Sequence, residues 1–210
     1  AMNRQFEIAK AYFGGRKKKV LGFLKVSGYA TGIEIMEKIS DRTGLDEPNS
    51  LGLRAAIRVA EHYDATEQYN EGYVKWSEIA SYWETGPVGK KALIRMAEDN
   101  LAAYNQARPK RRRLLDTSRL TTARTYFEKF ATRYPKEVAE HDIAEKLELI
   151  DEQMAMKEYT VGCYYRRVGK IEAARLYFDM VVKNWPKTEG GELAAQALAE
   201  LPEKEDTRGT

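Results

Sequence analysis

The chain has 210 residues, 43% hydrophobic and 32% charged, with six prolines and a single cysteine. That length buries a substantial core as one domain or two small ones, and the balance of residues excludes a disordered chain and a disulfide-stapled one. The net charge is only +3, yet Arg16 to Lys19 and the group Arg108, Lys110, Arg111, Arg112 and Arg113 carry +9, which leaves −6 on everything else. No run of about 18 apolar residues occurs, so no segment is expected to span a membrane. The opening AMNRQFE lacks the basic, apolar and small-residue order of a secretory signal, and a signal or lipid anchor removed ahead of it stays an open alternative.

Self-similarity organises the rest of the chain. The pattern apolar–small–x–x–aromatic occurs first as IAKAY (Ile8 to Tyr12), followed by a degenerate small-residue helix GIEIMEKIS from Gly32. It returns as VAEHY (Val59 to Tyr63) with GYVKWSEIASYW from Gly72, and more weakly as MAEDN (Met96 to Asn100) with ARTYFEKFATRYP from Ala123. The last copy is VGCYY (Val161 to Tyr165) with ARLYFDMVVKNWP from Ala174. Each copy predicts a helical hairpin, an A helix and a B helix, whose small residues let the backbones approach while the aromatics fill the space beside them. The small residues stand 12 apart in the second and fourth copies but 23 and 26 apart in the first and third, so those two carry an inserted connection. Gly169 marks a tight turn, and Pro135 and Pro186 close the third and fourth B helices.

From Glu137 to Arg167 no proline intervenes, and Ile143, Leu147, Ile150 and Met154 form an apolar stripe. One helix of about 30 residues, roughly 45 Å long, is therefore expected to join the third hairpin to the fourth. Thr188 is the expected N-cap of a final helix over Glu189 to Leu201 that covers the open end of the array. The predicted architecture is all-α: a superhelix of about four hairpins plus a capping helix, in one solenoid domain over residues 3–201, with a flexible tail at 202–210.

The spacing small–x–x–aromatic, glycine, alanine, aromatic, proline resembles the tetratricopeptide repeat. The fourth copy carries it through Val161, Gly162, Tyr165, Gly169, Ala174, Phe178 and Pro186. A narrower likeness rests on Lys146, Leu147, Ile150, Glu158, Val161, Tyr164, Tyr165, Gly169, Ala174, Val182, Trp185, Pro186 and Thr188. These residues resemble the YfiO/BamD family of periplasmic lipoproteins of the outer-membrane β-barrel assembly machinery, over roughly residues 5–200. The resemblance implies a five-repeat scaffold tethered by a lipidated N-terminal cysteine, binding the central barrel-assembly protein and segments of client barrels. This chain departs from it in lacking that cysteine and in ending after what would be the first helix of a fifth repeat. A general peptide-binding adaptor of the cytoplasm or periplasm is the rival reading.

No catalytic set emerges. His62 and His141 lack any metal-binding spacing, Cys163 reads as a packing residue beside Gly162, and TGPVGKKA (Thr85 to Ala92) lacks the spacing and hydroxyl of a phosphate loop. No enzyme, cofactor or metal is expected. Trp76, Tyr126, Phe127, Tyr177 and Phe178 are expected in the core, with Tyr82 and Trp83 more exposed.

In tetratricopeptide arrays the A helices line the inner surface. Phe6, Lys10, Arg54, Arg58, Glu61, Tyr159, Arg166 and Arg167 are the expected groove for a protein or an extended peptide, its arginines suited to carboxylates. The same arginines serve equally well as helix solvation. Arg16, Lys17, Lys18 and Lys19 in the first inserted connection and Lys110, Arg111, Arg112 and Arg113 in the third are expected to meet as one basic edge facing an anionic surface. Solvated basic loops are the plainer alternative. The runs lack interleaved aromatics and any helix-turn-helix, so no nucleic acid is expected.

Overall fold

A computed structural model describes residues 1–20, 24–108 and 116–202. Among them nine α-helices follow one another: α1 (Met2–Phe13), α2 (Tyr29–Thr43), α3 (Leu51–Ala65), α4 (Tyr69–Tyr82), α5 (Gly86–Asn105), α6 (Ser118–Arg133), α7 (Ile143–Arg167), α8 (Ile171–Asn184) and α9 (Glu189–Ala199). They pair as α1/α2, α3/α4, α5/α6 and α7/α8, with α9 packed on α7 and α8. The fold is all-α and tetratricopeptide-like, and the four repeat copies map one to one onto the four hairpins.

The repeat works because one slot recurs. The residue four positions after the B-helix small residue is Met36, Trp76, Phe127 and Phe178 in turn, and each is fully buried. Phe6, Ala9, Met36, Ile39, Ala55 and Val59 form the first core cluster, and Leu53, Ala56, Ala60, Trp76, Ile79 and Met96 the second. Leu93, Ala97, Phe127, Phe130, Ile143 and Ile150 form the third, and Ala155, Ala174, Phe178, Val181 and Ala194 the fourth. Every cluster draws on three successive helices, so each A helix after the first is packed from both sides.

The turns between A and B helices of the second and fourth hairpins are built alike. Gln68 N–H bonds Tyr63 C=O at 2.9 Å and Lys170 N–H bonds Tyr165 C=O at 3.0 Å, the six-residue closure that satisfies the last helical carbonyls. The residue inside each loop takes a left-handed conformation, Gly169 at φ +75° and, in the second hairpin, Glu67 at φ +58°. The Ser50 and Thr188 hydroxyls cap α3 and α9, each accepting from a backbone N–H at 3.0 Å. Glu152 on α7 adds a second cap to α9, accepting from the N–H groups of Glu189 and Gly190.

Three expectations are corrected. The first inserted connection is an antiparallel β-hairpin, β1 (Lys17–Val20) with β2 (Leu24–Ser27), in which Lys17 lies opposite Ser27 and Val20 opposite Leu24. Its signal is the Val, Leu and Phe residues around Gly22, which the lysine run obscures. The long helix α7 has 25 residues, about 37 Å, rather than 30. Before it Pro135–Glu137 form a 3-10 turn and Asp142 sits at φ +49°, a conformation through which an α-helix cannot run. The capping helix ends at Ala199, although Leu201 still seals the fourth cluster. Residues 203–210 of the expected tail, and Lys110, Arg111, Arg112 and Arg113, lie outside the described residues.

Candidate partner-binding face

The A helices carry a repeating set of charges. Arg54, Arg58 and Glu61 on α3 stand six before, two before and one after the small residue Ala60. The same offsets from Ala97 on α5 give Lys91, Arg95 and Glu98. Such positions (i, i+4, i+7) fall on one stripe of a helix. The stripes interlock. Glu61 accepts from Arg58 at 3.1 Å within α3 and from Lys91 at 2.6 Å on α5. Glu98 accepts from Arg95 at 3.2 Å within α5 and from Lys146 at 2.8 Å on α7. These pairs are partly solvated, so each stabilises by about 0–1 kcal/mol and chiefly fixes where the side chains stand.

Four of the face's cations also rest on the aromatic core. Lys91 lies 5.6 Å above the Trp76 ring, Lys146 5.7 Å above Phe127, Arg166 6.0 Å from Phe178 and Arg54 5.0 Å from Phe6. Aliphatic stems thus cover the ring faces while the charged heads reach water. Between α5 and the turn before α7, Lys90, Lys91, Arg95, Glu98, Glu137 and His141 line an open cleft of about 350 Å³. Lys90 donates to Glu137 at 2.8 Å, a hydrogen bond that raises the ammonium pKa.

The expected groove residues divide. Arg54, Arg58 and Glu61 share one stripe of α3, joined to α5 as described. Lys10 on α1 pairs with Glu7 at 3.6 Å. Farther along, Arg166 pairs with Glu200 at 3.2 Å, and Arg167 is exposed with no ion partner among the described residues. Tyr159 is half-buried against Phe178, its hydroxyl pKa raised by a hydrogen bond with Cys163 and by burial. Phe6 is a correction. At 3% exposure it is core, because Met36 and Val59 close around it and Arg54 covers the remaining face. Of the basic edge, Arg16, Lys17 and Lys18 are exposed at the root of the β-hairpin, with Lys18 3.4 Å from the Thr31 hydroxyl.

Sequence reasoning missed Lys91, Arg95, Glu98 and Lys146. The third copy carries Asn100 where the others have an aromatic, which drew attention from α5. Asn100 is buried and donates to Met96 C=O at 2.8 Å, so the slot is filled by a satisfied amide. Transferring the offsets of α3 onto Ala97 recovers three of the four.

Beneath this face two carboxyls meet. Trp76 Nε1 donates to both oxygens of Asp64, at 3.2 and 3.0 Å, and Asp99 lies beside Asp64 at 3% exposure. Gly72 makes room for them, since a Cβ there would stand 2.7 Å from Asp64 Oδ1 and 2.8 Å from Asp99 Oδ2. Burial, then the charge of Asp64, pushes the Asp99 carboxyl up to about 8.

Among the described residues no three His, Cys, Asp or Glu side chains gather as a metal set, and no helix is long and apolar enough to cross a membrane. No curated protein matches the chain. The family model described as YfiO, outer membrane lipoprotein, matches residues 77–210. That region takes in Lys91, Arg95, Glu98, Lys146, Tyr159, Arg166 and Arg167, whereas Lys10, Arg54, Arg58, Glu61 and the β-hairpin precede it. With repeats, long connecting helix and capping helix as described and a match over more than half its length, the chain belongs to the YfiO family of outer membrane lipoproteins.

Proposed function

We propose that this protein is a non-enzymatic scaffold that holds partner proteins on its A-helix face during outer-membrane β-barrel assembly, at the periplasmic side of the outer membrane. The observation that carries the reading is the interlocked charge row of α3, α5 and α7, in a chain belonging to a family of outer membrane lipoproteins. Row and cleft offer fixed cations and anions in alternation, which suits an extended protein segment with its own charges and backbone polar groups. Residues 3–201 act as one solenoid unit, a reading supported by core clusters that share helices from end to end.

The test is a photo-crosslinking side chain placed at position 58 in the native bacterium. Capture of an outer-membrane barrel protein or its assembly factor is expected. Capture confined to cytosolic proteins retires the assembly reading in favour of a general peptide adaptor. Substituting Arg54→Glu together with Arg58→Glu is expected to weaken that capture at least about tenfold, the scale of losing charge-assisted hydrogen bonds.

The basic edge has a separate role, contact with an anionic surface near the membrane. It is supported by Arg16, Lys17 and Lys18, exposed where the hairpin leaves α1, and by the charge of the run at 110–113. Charge reversal of Lys17 to Lys19 and Arg111 to Arg113 should abolish sedimentation with anionic phospholipid vesicles. Unchanged sedimentation removes this role and leaves the A-helix face untouched.

A further inference from the structure

Asp64 and Asp99 present a problem of acceptors without donors. Asp64 on α3 has the Trp76 indole N–H, and its side chain is 15% exposed. Asp99 on α5 is 3% exposed, and its Oδ2 has no hydrogen-bond partner. Both carboxyls converge on the Cα of Gly72, the close approach of α4 that brings these three helices together. A buried carboxylate oxygen with no donor is costly, and two ionised carboxylates in contact compound the cost.

The surroundings do not neutralise the pair. From α5, Arg95 reaches Asp64 Oδ2 only at 3.9 Å and gives its closer contact, 3.2 Å, to Glu98. The adjacent Glu98 opposes the charge of Arg95. From α4 come the Trp76 indole and the Tyr69 phenol, and Glu67 in the α3–α4 turn adds a further negative charge near Tyr69. A single proton resolves every difficulty. It makes one carboxyl a donor to the other, leaves one negative charge for Trp76 and Arg95, and removes the orphaned acceptor.

We propose that Asp64 and Asp99 hold one proton between them and act as a proton-operated clasp between the second and third helical hairpins. With the proton in place, α3, α4 and α5 lock around Gly72. Its loss leaves two buried charges in contact and loosens the junction. Arg95 belongs both to this clasp and to the charge row above it, so the clasp sets the position of one cation on the A-helix face. The clasp itself does not depend on what that face binds.

The sign of the pH dependence follows. Between the ordinary aspartate value of 3.8 and about 8 the folded chain holds a proton that the unfolded chain has released. Stability therefore falls as pH rises across that window, and the unfolding constant grows about tenfold per pH unit from this pair alone. Asp99→Asn supplies a permanent donor to Asp64 and imitates the protonated clasp.

Two measurements on the full chain test it. In denaturant melts between about pH 5 and about pH 8, the wild type should lose stability relative to Asp99→Asn by about tenfold in the unfolding constant per pH unit. Parallel curves overturn the proposal. Should the variant fail to fold, carbon-13 NMR titration of aspartate side chains in the unaltered protein decides the matter. One carboxyl titrating near pH 8 is the expected result. If all aspartates are ionised by about pH 6, the clasp does not exist.

Discussion

Gly162 on α7 lies against the edge of the Phe178 ring on α8, so closely that a Cβ at Gly162 would stand 2.5 Å from Phe178 Cε1. The two helices approach because one side chain is missing. The Phe178 ring, fully buried, fills the space beside the gap and touches Tyr159 at 5.7 Å between centroids.

Gly162→Ala should therefore destabilise the fourth hairpin. The methyl improves helix propensity by about 1 kcal/mol but forces Phe178 or the whole of α8 to move, at about 1–3 kcal/mol. A net loss of about 1 kcal/mol in denaturant melts is expected. A more stable variant would show that the ring has room to shift.

Glu67 presents the opposite case. It occupies the left-handed turn position at φ +58° that Gly169 fills at φ +75° in the fourth hairpin. A side chain in that conformation costs about 1–2 kcal/mol, partly offset by the greater unfolded freedom of glycine. Glu67→Gly should raise stability by about 0.5–1 kcal/mol, and Gly169→Ala should lower it by a similar amount. Thermal melts of the two variants side by side check both signs.

Asp151 ties the third hairpin to the fourth. Its carboxylate accepts from both terminal nitrogens of Arg124 on α6 and, at 3.0 Å, from Trp185 Nε1 at the end of α8. Asp151→Ala leaves both donors unmatched in a partly exposed site and should cost about 1–2 kcal/mol. Asp151→Asn keeps an acceptor for the indole and should lose roughly half of that. Equal losses in the two variants would mean that Trp185 contributes nothing.

His62 gives the fold an acid limit. It is 7% exposed, stacked on Phe13 at 4.3 Å and flanked by Tyr29 at 5.0 Å, and burial lowers its pKa. Below the ordinary value of 6.5 the unfolded chain takes up a proton that the native imidazole resists, so the His62 contribution to stability falls as pH drops and opposes that of the Asp64–Asp99 pair. His62→Phe keeps a ring in the stack and, with the Asp64–Asp99 pair unaltered in both proteins, should gain more stability or lose less than the wild type on going from about pH 7 to about pH 5. An identical change in stability of wild type and variant over that interval would sink this account.

The core slots were legible because a repeat shows the same physical requirement several times. A small residue followed four positions later by a large one marks where two helices touch, and Trp76, Phe127 and Phe178 all occupy that place. The face above them was half legible. Arg54, Arg58 and Glu61 stood out on α3, yet Lys146 meets Glu98 only because α7 crosses α5, a juxtaposition that lies 48 residues apart in sequence. Phe6 was misplaced because an A-helix aromatic reads the same whether its ring faces water or Met36. Asp64 and Asp99 were invisible for a related reason. An acidic residue on an amphipathic helix is ordinarily solvated, and only the glycine in the neighbouring helix lets both carboxyls sink beneath the surface.

Helix α7 places Ile150 in the core it shares with α5 and α6, and Ala155 in the core it shares with α8 and α9. A rod embedded in both cores joins them without a hinge. From Lys146 to Arg166, about 30 Å along the axis, no loop intervenes, so the helix itself fixes the spacing and rotation of these two cations. The third and fourth hairpins thus share one uninterrupted backbone, and the span of the charged face from the Glu98 salt bridge to Arg166 is set by a helix rather than by a hinge.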